Sequence, residues 1–195
     1  MMTSRKTQSL ALELSEFAGQ FESAKDEARR LTDGLSDAQF NWRPEPQRWS
    51  MAECLSHLTM IGSFYLPRID AGIEQATAKG WAHTRTFRLG PLWRLVVWLT
   101  EPPPRLRRRA LKPFAPAPVR PVAEGLAEFL KLQDDLVLRV FRTEGLDISR
   151  PKTSSLISRH IRMSLGEGFA LLAAHQRRHL WQAGRVRQSP GFPRA

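Results

Sequence analysis

The 195-residue sequence predicts an all-α protein, a four-helix bundle in up-down-down-up order. Three observations carry that prediction. Four stretches repeat apolar residues in alternating steps of four and three, the signature of one buried helix face. Capping boxes at Ser36, Ser50 and Ser164, each with Gln or Glu three residues on, mark helix starts. No stretch alternates with the period of two that a half-buried strand requires. A 42% hydrophobic content supplies a core, and the length suits one domain, taken as 1–195.

The first helix is expected at about 7–33. Leu10, Leu14, Phe17, Phe21, Ala24, Ala28 and Leu31 form its stripe, and Gly34 marks its end. A short capped turn at Ser36–Gln39 follows, with Leu35 and Phe40 at the staple positions, then the proline-containing connector Trp42–Gln47. The second helix is expected at about 50–76. Ser50 and Glu53 cap it, Trp49 and Cys54 staple it, and Met51, Leu55, Leu58, Tyr65 and Ile69 form its apolar face. Pro67 is expected to kink this helix without ending it, because Ile69 and Ile73 continue the pattern.

Residues 79–119 break the rhythm with seven prolines and the run Arg105–Lys112. They read as a long connection holding a short helix near Trp93–Leu99. The third helix is expected at about 121–144, with Val122, Leu126, Phe129, Leu136 and Val140 inward and Gly145 closing it. The fourth is expected at about 164–187, capped by Ser164 and Glu167. The short link between the first two helices suits antiparallel neighbours. The long link between the second and third lets those two run parallel.

Charge and composition narrow the function. The net charge of +11 is uneven: residues 81–120 carry +8 and residues 150–195 carry +8, while residues 1–80 and 121–149 are mildly acidic. One cysteine excludes an intramolecular disulfide and a cysteine-only metal site, and residues 1–9 lack the apolar run of a secretory signal. The chain is therefore read as cytoplasmic. The most apolar stretch, PLWRLVVWLT, is far short of the roughly 20 residues of a membrane span.

The fourth helix carries the informative anomaly. Its stripe reads Gly168, Leu172, His175, His179, Gln182, Val186, so two consecutive turns that should face the core are polar. The second helix repeats the pattern at His57. Buried imidazoles need compensation, since an unpaired buried polar group costs a few kcal/mol. A metal ion supplies it, and a hydrogen-bonded core pair is the plainer alternative. Residues four apart share one helix face, so His175 and His179 can act together, with a third ligand from a facing helix. Depth along the helices brings His57 to their level if the second and fourth helices are antiparallel.

Two blocks resemble the DinB-like superfamily, which includes YfiT-type metal-dependent hydrolases and thiol S-transferases. One runs from Trp42-Arg43-Pro44 through Trp49-Ser50 to Glu53 and His57-Leu58; the other from Leu165-Gly166-Glu167 to His175-Gln176-Arg177-Arg178-His179-Leu180-Trp181-Gln182. The resemblance implies an up-down-down-up bundle, a divalent metal on His57, His175 and His179, and a homodimer. It also implies hydrolysis, or transfer of a low-molecular-weight thiol as cosubstrate. The ion, whether Zn, Ni, Fe or Mn, is not distinguished, and no catalytic general base is assigned.

Other residues carry weaker expectations. Arg178 beside the ligand stripe and Arg162 before the fourth helix either meet an anionic small-molecule substrate or serve structure. Gln182 either hydrogen-bonds a ligand histidine or satisfies a neighbouring helix. Cys54 reads as a small buried hydrophobe rather than a fourth ligand. His83 and His160 read as loop residues. The alternative to an enzyme is a binding module whose basic 81–120 segment holds an acidic partner, nucleic acid or membrane. Nucleic acid is disfavoured, because no recognised motif surrounds the arginines.

Overall fold

A computed structural model describes residues 2–103, 105, 119–155 and 161–194, with side chains from Leu12 onward. It holds α1 (Met2–Thr32), α2 (Asp37–Asn41), α3 (Met51–Ala78), α4 (Pro91–Thr100), α5 (Val122–Phe141) and α6 (Leu165–Arg187). Between α5 and α6 lie β1 (Lys152–Ser154) and β2 (Arg162–Ser164). His160 and most of the arginine run fall outside the described residues.

The four long helices form the bundle, and their cross-links fix its sense. Lys25 on α1 pairs with Asp134 on antiparallel α5 at 2.6 Å. Asp70 on α3 accepts from Arg139 at 2.7 Å and Arg142 at 2.6 Å on parallel α5. Arg187 donates to the Leu31 carbonyl at 2.9 Å, where parallel α1 and α6 both end. The order is thus up, down, down, up. Gly62 permits the close approach of α3 and α5: any Cβ there would collide with the Leu132 side chain.

One topological expectation is corrected. α1 and α3 are antiparallel but not neighbours; each packs against α5 and α6, and the two face one another across the bundle diagonal. The reason lies in the short link. α2 caps one end of the bundle with fully buried Phe40. Asp37 accepts from the Val122 amide at 2.8 Å, and Asn41 exchanges hydrogen bonds with Arg120 at 2.7 and 3.0 Å. These bonds seat the start of α5 beside α1 and send the chain across the bundle end before α3 begins.

A second correction concerns strands. β1 and β2 form an antiparallel ladder, with Lys152 opposite Ser164. Three residues per strand are too few to show a period of two in sequence. The ladder delivers Ser164 directly to its cap on α6. α3 runs unbroken through Pro67, which faces solvent along with Ser63, whose carbonyl loses its helical donor there. All three capping boxes form, at Ser36, Ser50 and Ser164.

The interior divides in two. One cluster gathers Leu14, Phe17, Phe21, Ile69, Val140, Phe169 and Leu172. The other gathers Ala28, Leu31, Phe40, Leu55, Leu58, Phe129, Leu180 and Val186. On α6 the histidines sit at the seam, between Leu172 and Leu180.

Candidate metal centre

His57 is placed by the start of α3. Ser50 accepts from the Glu53 amide at 3.1 Å and the Glu53 carboxylate accepts from the Ser50 amide at 2.9 Å, so the helix has a fixed origin. Arg43 reinforces it through a two-pronged ion pair with buried Glu53, Nε to Oε2 at 2.8 Å. The Trp-Arg-Pro connector is therefore a clamp on the helix that carries His57. His175 and His179 lie on α6, whose antiparallel run past α3 sets all three imidazoles at one level.

The three rings each offer one nitrogen, and those atoms lie within 4.8 Å of one another. His57 Nε2 and His175 Nε2 are 3.4 Å apart. That is long for a hydrogen bond. It equals the about 3.3–3.4 Å between two nitrogens held at 2.0–2.1 Å by one tetrahedral ion. The ring centroids are 4.6–5.2 Å apart in all three pairings.

The electrostatics favour the neutral form of His175 and His179. His57 and His179 are buried. Burial first, then the neighbouring His57 and Arg178 charges, push His175 down to about 3. Burial first, then His175, His57 and Arg178, hold His179 well below the ordinary histidine range, opposed by a Gln182 hydrogen bond. His179 Nδ1 is buried with no hydrogen-bond partner among the described residues. Three converging imidazoles, two of them held below the ordinary histidine range and one with an unpaired buried nitrogen, are the donor set a divalent transition metal takes, so the residues fit such an ion. They leave further coordination positions open.

Trp49 completes the wall of the site. Its ring stacks on His179 at 5.4 Å and tilts against His57 at 4.9 Å. The sequence reading assigns Trp49 only a staple role. Its place one residue before the cap of a histidine-bearing helix was the available signal, but a stacking partner on a distant helix leaves no trace in local spacing.

The remaining candidates separate. Arg178 acts on both His175 and His179, and burial lowers its own pKa, so a partly buried guanidinium borders the trio. Gln182 lies against His179. Arg162 is not brought to the site: it precedes α6, whose first residue is itself ten residues or about 15 Å of helix before His175, and donates to the Lys152 carbonyl at 2.8 Å. Cys54 is fully buried, burial drives its thiol pKa upward, and it does not join the trio. His83 lies in the connection after α3, where its amide donates to the Gly145 carbonyl at 2.8 Å.

Comparison with known proteins places this geometry. The chain shares its fold with YfiT from Bacillus subtilis, a probable metal-dependent hydrolase with an unusual four-helix bundle topology, at a TM-score of 0.58. The similarity covers 90% of this chain and 86% of that one at 11% identity. No curated protein matches in sequence. A model of the DinB superfamily matches residues 20–183, which include all three histidines and the Trp42–Glu53 clamp. Sequence match, shared bundle topology and converging histidines agree that the chain belongs to the DinB superfamily.

Proposed function

We propose that the protein is a metal-dependent enzyme, a hydrolase or a low-molecular-weight-thiol S-transferase, whose ion is held by His57, His175 and His179. The observation that carries this reading is the convergence of three imidazole nitrogens within 4.8 Å. The ion, whether Zn, Ni, Fe or Mn, supplies Lewis acidity that makes hydroxide or thiolate available near neutral pH. The chain's own residues do the rest. Burial keeps His175 and His179 deprotonated and ready to ligate. Gln182 orients His179 from behind. Arg178 binds the anionic portion of a small substrate, and Trp49 excludes water from one side. The whole chain, 1–195, acts as one domain in the cytoplasm, and the resemblance to the family supports a homodimer.

The test is metal per chain, measured by elemental analysis, in the protein and in a His57→Ala, His175→Ala double variant. We expect close to one ion per chain in the first and none in the second. Equal, negligible metal in both would remove the basis of the proposal. A panel of thiol-transfer and hydrolysis assays on the loaded protein then separates the two reactions, and light scattering reads the oligomer.

A further inference from the structure

α4 does not behave as a ten-residue helix on a protein surface should. Its inward side, Trp93 and Val96, packs on the bundle, with Trp93 in the core. The opposite side ought then to be polar. Instead Leu92, Leu95 and Trp98 face water at 59%, 51% and 52% exposure, and Arg94 is the helix's single charged residue. A helix apolar on both sides has a second partner.

The surroundings say which. Arg105 lies over the Trp98 ring at 4.2 Å and donates to the Trp98 carbonyl at 2.7 Å, so a cation borders the apolar face. Arg85 and Arg88, both exposed, precede the helix. The one acid of this segment, Glu101, is already neutralised by Arg177 at 2.5 Å. A second copy of the chain would bring Arg94 and Arg105 against their own counterparts at this face. Nucleic acid would satisfy the arginines but leave the leucines uncovered.

We propose that α4, with Arg94 and Arg105, is a peripheral docking face for an anionic phospholipid bilayer. Leu92, Leu95 and Trp98 enter the headgroup boundary, where an indole is favoured, while the arginines meet lipid phosphates. α4 is too short to cross a membrane, and no described helix is long and apolar enough to do so. The protein is thereby held on the surface with the bundle outside it. This inference does not depend on the metal.

Sedimentation with vesicles tests it, using the full chain, phosphatidylcholine vesicles, and vesicles that also contain phosphatidylserine. We expect binding to the phosphatidylserine vesicles at least about tenfold above that to phosphatidylcholine alone, weakened by salt. Leu95→Glu with Trp98→Glu should abolish it, and Arg94→Gln with Arg105→Gln should weaken it severalfold. These positions are exposed, so circular dichroism should show folded variants. No enrichment on phosphatidylserine vesicles overturns the proposal. So does lipid binding that survives Leu95→Glu with Trp98→Glu, or loss of a dimer in that variant without any lipid binding. Tight oligonucleotide binding in place of vesicle binding would assign the segment to nucleic acid instead.

Discussion

Helix α6 runs through two unlike interiors. Over Phe169 and Leu172 it meets Phe17 and Phe21, with ring centroids at 5.7 and 6.4 Å, in a wholly apolar layer. Two turns on, over His175 and His179, it meets His57 and Trp49. The first layer is held by area removed from water and by packing, and it needs nothing else. The second buries polar rings that gain little from one another. One interior therefore stabilises the bundle, and the other has the donor groups to hold an ion.

The largest expected effect breaks the apolar layer. Phe169→Ala should cost about 3–5 kcal/mol of unfolding free energy, read by denaturant titration, since a fully buried ring leaves a cavity. Metal bound per folded chain should not change. If metal content fell in step, the two interiors would be one cooperative unit.

The next effect distinguishes the layers by pH. In the metal-free protein His175 is pushed down to about 3, from an ordinary 6.5. Between those values the unfolded chain binds a proton that the folded chain refuses, so stability falls as pH falls, by at most about 1.4 kcal/mol per pH unit for that group. His179 acts in the same direction. The other end of the bundle has the opposite sign. Burial raises the pKa of Glu13, whose Oε2 accepts from the Phe87 amide at 2.9 Å, so folding takes up a proton there at acid pH and stability gains. Urea unfolding of the metal-free protein from pH 7 to 4 should show a decline that His175→Leu reduces and Glu13→Gln does not.

The sequence made much of this contrast legible, for a physical reason. Capping boxes and apolar stripes are local, so Ser36, Ser50 and Ser164, and the run from Leu14 to Leu31, could be read from spacing alone. The histidines stood out because they interrupt a stripe. What was not legible depends on contacts far apart in sequence. Trp49 stacks on a residue 130 positions away, Arg43 closes on Glu53 only after the connector turns, and the diagonal placement of α1 and α3 rests on Asp37 and Asn41 reaching the start of α5. The exposed side of α4 was equally hidden, because composition cannot say which of two apolar sides packs.

Trp49 sharpens the comparison at intermediate scale. A staple needs only an apolar side chain, whereas stacking on two imidazoles needs an aromatic ring. Trp49→Leu should therefore keep most of the stability yet weaken metal binding about tenfold, the lower end of what a lost outer-shell contact costs. Trp49→Phe should restore most of it. Competition with a chromophoric chelator reads both affinities. Equal affinity in all three proteins would reduce Trp49 to a staple.

The smallest effect uses one motif at both ends. Ser50 caps α3 beside the histidine layer, and Ser164 caps α6 at the apolar end. In each box a buried serine and a glutamate satisfy one another's backbone amides. Ser50→Ala and Ser164→Ala should thus lose nearly the same stability, about 1 kcal/mol each. Their consequences for metal should differ. Removing Ser50 frees the turn that sets Trp49 against His57 and anchors the Arg43–Glu53 pair, so affinity should drop severalfold. Removing Ser164 disturbs a helix start ten residues before His175, on the far side of the packed Phe169 layer, and affinity should hold. Equal losses of affinity would mean that the apolar layer transmits helix position along α6, and that the metal centre depends on the whole bundle rather than on the turn before α3.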